Sequence, residues 1–153
     1  MRIIHTSPVE ITEIRTDGLF GDCLCFSDHE YAMGEVAAVY ALEVEESEVI
    51  SGSDLDCSGS AEIKAIAELV SISEGELSDD EAFSLLTEEC SAFALLADRM
   101  ATDAIAELSW DVQRLQGRIA SEDGFSAFAD RDEQGTVYLV PMSGKLELLD
   151  RVQ

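Results

Sequence analysis

Residues 102–140 read TDAIAELSWDVQRLQGRIASEDGFSAFADRDEQGTVYLV, and the hydrophobic period changes within them. Up to Gly124, the residues Ile105, Leu108, Val112, Leu115 and Ile119 recur three and four apart. That spacing puts one apolar stripe on a helix starting near Thr102 or Asp103 and closed by Gly124. Beyond Gly124 the period is two. Residues 125–128, 136–140 and 145–149 predict three short strands, separated by the polar stretch 130–135 and by Ser143-Gly144.

Upstream the order runs from strands to helices. Residues 2–5 predict a first strand that enters a loop at Thr6-Ser7-Pro8, and residues 22–26 and 39–44 predict two more. Ile11 and Ile14 are compatible with one helical turn over residues 10–16, and residues 28–33 with another short helix. Ile63, Ile66, Ala67 and Val70 fall on one helical face. Ser78-Asp79-Asp80-Glu81 has the form of a capping box before Phe83, Leu85 and Leu86. Strands, then helices, then strands, without βαβ alternation, predict an α+β fold whose mostly antiparallel sheet joins both chain ends around a central helical segment. A chain of 153 residues predicts a single domain, 1–153.

Charge narrows the partners. With 33 acidic against 9 basic residues, the formal net charge is −24, and residues 43–90 alone carry −14. Direct binding to nucleic acid or to an anionic membrane draws on Lys and Arg, so neither is expected. A basic partner surface is favoured, and an acidic decoy in a nucleic-acid groove stays open. No apolar run approaches the ~18 residues of a spanning helix, and Met1-Arg2-Ile3-Ile4-His5 turns polar too early for a signal peptide, so a cytoplasmic protein is expected. Cys23, Cys25, Cys57 and Cys90 form no C-x-x-C pair, and with His5 and His29 as the two histidines no metal site is expected. Cys23 and Cys25 alternate in an apolar run and read as small residues on one strand face.

Two places could carry chemistry. His5 ends a strand and is followed by two hydroxyl residues and Pro8, a position either for ligand contact or for a simple bond to a nearby carbonyl. Asp132-Glu133-Gln134-Gly135 leads into the strand at Thr136, and its two acids point to opposite faces, so one of them can enter a given cleft. No phosphate-binding Gly-rich loop occurs. Trp110 and Gln113 lie three apart on the long helix, where a half-buried Trp is usually core.

Taken together, His5-Thr6-Ser7, Ile11-Thr12-Glu13-Ile14, Gly18-Leu19-Phe20-Gly21 and Leu24-Cys25-Phe26-Ser27 resemble the opening of diphtheria-toxin-like ADP-ribosyltransferases. Gly124-Phe125-Ser126, Asp132-Glu133-Gln134-Gly135-Thr136 and Tyr138-Leu139-Val140 resemble the closing strands of that class. Along nearly the whole chain, Trp110-Asp111-Val112-Gln113-Arg114-Leu115 included, the sequence is similar to small phage-encoded anti-CRISPR ADP-ribosyltransferases that inactivate the type I-F surveillance complex.

That resemblance implies NAD as co-substrate and an Asn of the PAM-reading large subunit of the host complex as acceptor. It assigns catalysis to Asp132, with Glu133 second, and ribose contacts to His5. It places the Thr6 backbone at the nicotinamide amide, Ser7 among the NAD-binding residues, Ile14 at the adenine end, and Phe20 and Phe26 as apolar or stacking walls around the bases. Tyr31 or Tyr40 supplies the second nicotinamide wall, Trp110 a brace, and Arg2, Arg15 or Arg131 a pyrophosphate contact. The chemistry suits one carboxylate, because the glycosidic bond to nicotinamide breaks through an oxocarbenium-like transition state. The competing readings are a non-catalytic acidic mimic of DNA and an ADP-ribosylating toxin with another target.

Overall fold

The computed structural model describes residues 1–153 except Met33 and Gln134. Its strands are β1 (Arg2–Ser7), β2 (Cys23–Ser27), β3 (Ala38–Glu43), β4 (Val49–Ser51), β5 (Ala127–Asp132), β6 (Gly135–Pro141) and β7 (Asp150–Arg151). Its helices are α1 (Ser60–Ile72), α2 (Asp79–Leu86), α3 (Ala92–Leu96) and α4 (Thr102–Glu122). The strands form one sheet in the order β4-β5-β6-β2-β1-β3-β7. Pairing is antiparallel throughout except between β4 and β5. Both ends of the chain interleave in this sheet, with the helices between β4 and β5 in the chain. The fold is α+β, as the element order predicts.

Strand alternation sorts the side chains onto two faces. Phe128, Leu139, Ile50 and Ala120 of α4 form one buried cluster, with Cys25 and Phe20 packed against it. Ile3, Phe26, Leu42, Ala127, Val140 and Met142 form the other, with Ile14 against it. Burial of each large side chain here contributes roughly 1.5–3 kcal/mol. The helices share a third cluster, to which α4 brings Ile105, Leu108, Val112, Leu115 and Ile119, the stripe expected from their spacing. The Ser78–Glu81 capping box is present at the start of α2.

Several expectations fail for identifiable reasons. Residues 10–16 are not helical, because Ile14 packs onto the sheet and the Ile11 N–H donates to the Tyr40 hydroxyl at 2.8 Å instead of to a helical carbonyl. Residues 28–32 are not helical either, and Met33, the last of that predicted turn, lies outside the described residues. Helix α1 buries Ala61, Ala65 and Leu69, and Ile66 and Val70 of the expected face pack partly against the same cluster, whereas Ile63 is 51% exposed. Its small residues allow close approach to the other helices, so the four-residue series one position away from the bulky stripe wins. Residues 145–149 contain a 3-10 turn, Leu146–Leu148, in place of a strand. Strand β5 begins at Ala127 and runs through the polar stretch to Asp132, because its partner β6 supplies a full ladder from Phe128↔Leu139 to Asp132↔Gly135. Cys23 is buried, but Cys25 is half-buried. β4 and α3 are too short for a periodic signal.

Candidate active site

The weak joint of the sheet is the seam between β1 and β2. One residue pair, Ile4↔Ser27, is in register there, against six between β1 and β3. Where the next pair would continue the ladder, the His5 side chain intervenes. Its Nδ1 lies 2.8 Å from the Cys25 carbonyl oxygen, and its ring centroid is 5.5 Å from that of Phe26, tilted by 48°. A carbonyl only accepts, so Nδ1 carries the hydrogen and Nε2 is left as an acceptor. Burial lowers the His5 pKa, partly offset by the bond to Cys25, so the ring is neutral at pH 7. A neutral imidazole with one nitrogen committed to the backbone can accept a hydroxyl proton donor at the other.

The last residues of β1, which runs on through the predicted loop residues Thr6 and Ser7, are tied down around this point. The Thr6 hydroxyl donates to the Tyr31 carbonyl, and the Ser7 hydroxyl accepts from the Val9 N–H at 3.3 Å. The Ser7 carbonyl accepts from Ala37 at 2.8 Å. Tyr40 stands opposite His5 across β1 and β3, is buried, and holds the Ile11 N–H with its hydroxyl. Of the two tyrosines expected at the nicotinamide, Tyr40 is thus buried and engaged through its hydroxyl, whereas Tyr31 is half-buried.

The other half of the site reaches the seam through β2. Phe128↔Leu139 and Leu139↔Cys25 put Cys25 on the same sheet face as Phe128. Asp130 and Asp132 follow on that face by alternation. The Cys25 thiol is pushed up to about 11 by burial, then by the charges of Asp132 and Asp130. Cys25 thus bridges the two sets: its carbonyl holds His5, and its sulfur lies in the field of Asp132. Glu133 sits in the turn of the β5–β6 hairpin, outside the ladder. Phe26 and Ile14 lie in the cluster on the His5 side, while Phe20 packs on the Cys25 side, so the two expected aromatic walls flank the seam from opposite faces.

Other expected residues lie elsewhere. Trp110 is 43% exposed on α4. Arg15 pairs with Asp17 at 2.9 Å, and Arg2 faces Glu43 and Asp150, each at 3.8 Å. A cavity of about 270 Å³ lies beside Asp22, Phe125, Ser126 and Lys145, and one of about 170 Å³ beside Arg2, Leu42 and Leu148. Neither touches His5 or Asp132.

Comparison with known proteins is decisive at this point. Residues 3–147 match the family model described as anti-CRISPR type I-F ADP-ribosyltransferase AcrIF11. The chain belongs to this family. It is therefore an anti-CRISPR ADP-ribosyltransferase, and the match runs unbroken from β1 through the β5–β6 hairpin. A solved structure described as the crystal structure of an anti-CRISPR protein shares the fold, with a TM-score of 0.56 and 22% identity. That likeness covers 92% of this chain and 88% of the other. No curated protein matches the chain.

A further set of side chains converges on β5 beside the hairpin. Asp130 is 6% exposed, and one of its oxygens accepts from Gln113 Nε2 of α4 at 3.2 Å. Its other oxygen and Glu88 Oε1 both accept from the Arg131 N–H, at 2.8 and 2.9 Å. Gln113 was visible as a polar residue on the inner part of α4, three after Trp110. Glu88 gave no signal, since its partner is 42 positions further along the chain.

Proposed function

We propose that this member of the family binds NAD across the β1–β2 seam and transfers ADP-ribose to the PAM-reading large subunit of the type I-F surveillance complex, blocking target DNA. The observation that carries the reading is the neutral, backbone-anchored His5 beside Phe26, joined through Cys25 to the strand face that bears Asp132. These groups fit a dinucleotide. His5 Nε2 can accept from a ribose hydroxyl, the Phe26 ring and Ile14 offer apolar contact, and the open seam leaves backbone groups of Thr6 for an amide.

NAD supplies an activated ADP-ribose whose bond from the ribose C1′ to nicotinamide breaks, with the electron pair leaving on nicotinamide. Asp132 provides the negative charge that stabilises the positive charge developing at C1′. His5 holds the ribose so that this carboxylate and the incoming side-chain nitrogen of the acceptor face C1′ from fixed directions. The acceptor nitrogen forms the new bond and loses its proton. Two phosphate charges then stand where duplex DNA docks, which disfavours docking by repulsion and bulk.

The test is DNA binding by purified surveillance complex after incubation with the protein, with and without NAD. We expect DNA binding to be lost with NAD and retained without it. Equal loss in both arms, relieved by high salt, would mean instead that the acidic stretch 43–90 blocks a basic groove stoichiometrically.

A further inference from the structure

Glu88 occupies a backbone conformation that favours glycine. It follows α2 with φ of 61°, its N–H donates to Leu85 O at 3.2 Å, and the Glu89 N–H donates to Ser84 O at 3.0 Å. This is the paired ending of a helix in which the left-handed position is usually Gly. A side chain there costs strain, and strained residues often serve a site. At Glu88 the side chain has a defined task. Its carboxyl reaches 43 residues along the chain to accept the Arg131 N–H at 2.9 Å, beside the Asp130 oxygen that accepts the same N–H at 2.8 Å.

The cluster is built from three elements. Asp130 is buried and receives Gln113 Nε2 from α4 on one oxygen and the Arg131 N–H on the other. The end of α2 that presents Glu88 is itself held by α4, where the buried Gln116 donates to the Leu86 carbonyl at 3.0 Å. All of this converges on β5 two residues before Asp132. Two carboxyl groups that accept from one N–H stand side by side and cannot both be ionised without repulsion, so the arrangement favours a proton between them.

We infer that Glu88 and Asp130 share one proton and act as a clamp that fixes the β5–β6 hairpin and so positions Asp132. This rests on the reading of Asp132 as the catalytic acid, and Glu88 is a positioning residue. The other charged groups around the pair are Arg131 and Asp132 on β5. Cys25 on β2 is the further titratable group, and α4 contributes the uncharged Gln113. Partial desolvation, followed by the Asp130 contact, pushes the carboxyl of the otherwise exposed Glu88 up to about 8. The unfolded Glu titrates in its ordinary range, so the clamp's contribution to stability is complete below that range. It is lost as pH rises toward about 8, where the folded pair gives up its proton.

The experiment follows the Arg131 backbone amide by NMR and nicotinamide release from NAD over pH 6–10, on the intact chain and three variants. In the wild type, the amide should shift in a step near pH 8, and kcat should fall through the same step with KM for NAD changing little. Glu88→Gln keeps a donor to Asp130 and an acceptor for Arg131 at every pH. It should retain wild-type kcat at pH 7 and lose the alkaline step in both readouts. Glu88→Gly relieves the backbone and removes the carboxyl, so it should fold at least as firmly yet lose roughly tenfold in kcat, the scale of a misplaced catalytic group. An Arg131 amide without a step overturns the clamp, and a step that kcat ignores overturns the positioning role. Asp132→Ala separates the underlying reading: retained nicotinamide release there refutes Asp132 as the acid, while the amide step still reports on Glu88 and Asp130.

Discussion

His5 illustrates how one residue's surroundings set its chemistry. Burial favours the neutral ring, and the Cys25 carbonyl selects the tautomer with hydrogen on Nδ1. Protonation would place a hydrogen on Nε2 and convert the acceptor into a donor. The pKa is lowered, so the neutral form is retained at pH 7 and lost only as pH falls through the lowered value. KM for NAD should therefore rise on the acid side. His5→Ala should raise KM about tenfold at pH 7 while leaving the thermal midpoint within a few degrees, since about 1 kcal/mol is the usual worth of one such hydrogen bond. An unchanged KM would remove His5 from the binding site. This residue was legible in the sequence because it is one of two histidines and precedes hydroxyl residues in a strand, although β1 runs on to Ser7 and does not end at His5 as the sequence suggests. Its tautomer was not, because that depends on a carbonyl 20 residues away. Glu88 was illegible for the same reason, and nothing local marks a glutamate in a left-handed position.

Among the elements, α4 is the one that period alone defines, and it packs where its stripe predicts. What the period does not reveal is how closely α4 approaches the sheet. A Cβ on Gly117 would lie 2.5 Å from Cys23 Sγ and 3.6 Å from Leu139 Cβ. Glycine in a helix interior is normally worse than alanine by about 1 kcal/mol, so here contact distance outweighs propensity. Gly117→Ala should lower stability by about 1–3 kcal/mol by forcing α4 away from β2, read as a lower urea midpoint. Adding Cys23→Ala should recover most of it, and a stabilised single variant would contradict this packing. Helix α1 shows the opposite limit. Two apolar four-residue series lie side by side on it, and only the neighbours decide which is buried. The β1–β2 seam is likewise invisible in sequence, because both strands have ordinary strand composition and the gap arises from register.

For the whole molecule, the net charge of −24 is a property of solubility and partner choice, not of the fold. It suits a protein that approaches a basic nucleic-acid-binding complex and then acts on it chemically. The α+β class was legible from element order, since both chain ends carry strand patterns and the middle carries helical ones. Strand order was not, because β6 inserts beside β2 across more than a hundred residues of chain. That insertion seats β2 between the hairpin and β1, with Asp132 on the Cys25 face and His5 on the Phe26 face, and the account rests on one dinucleotide reaching both. The most direct measurement is intact mass spectrometry of the large subunit of the type I-F surveillance complex after incubation with NAD and either wild-type protein or Asp132→Ala. The account predicts one added ADP-ribose unit with the wild type and none with the variant. An unmodified subunit with the wild type, or equal modification by both proteins, would contradict it.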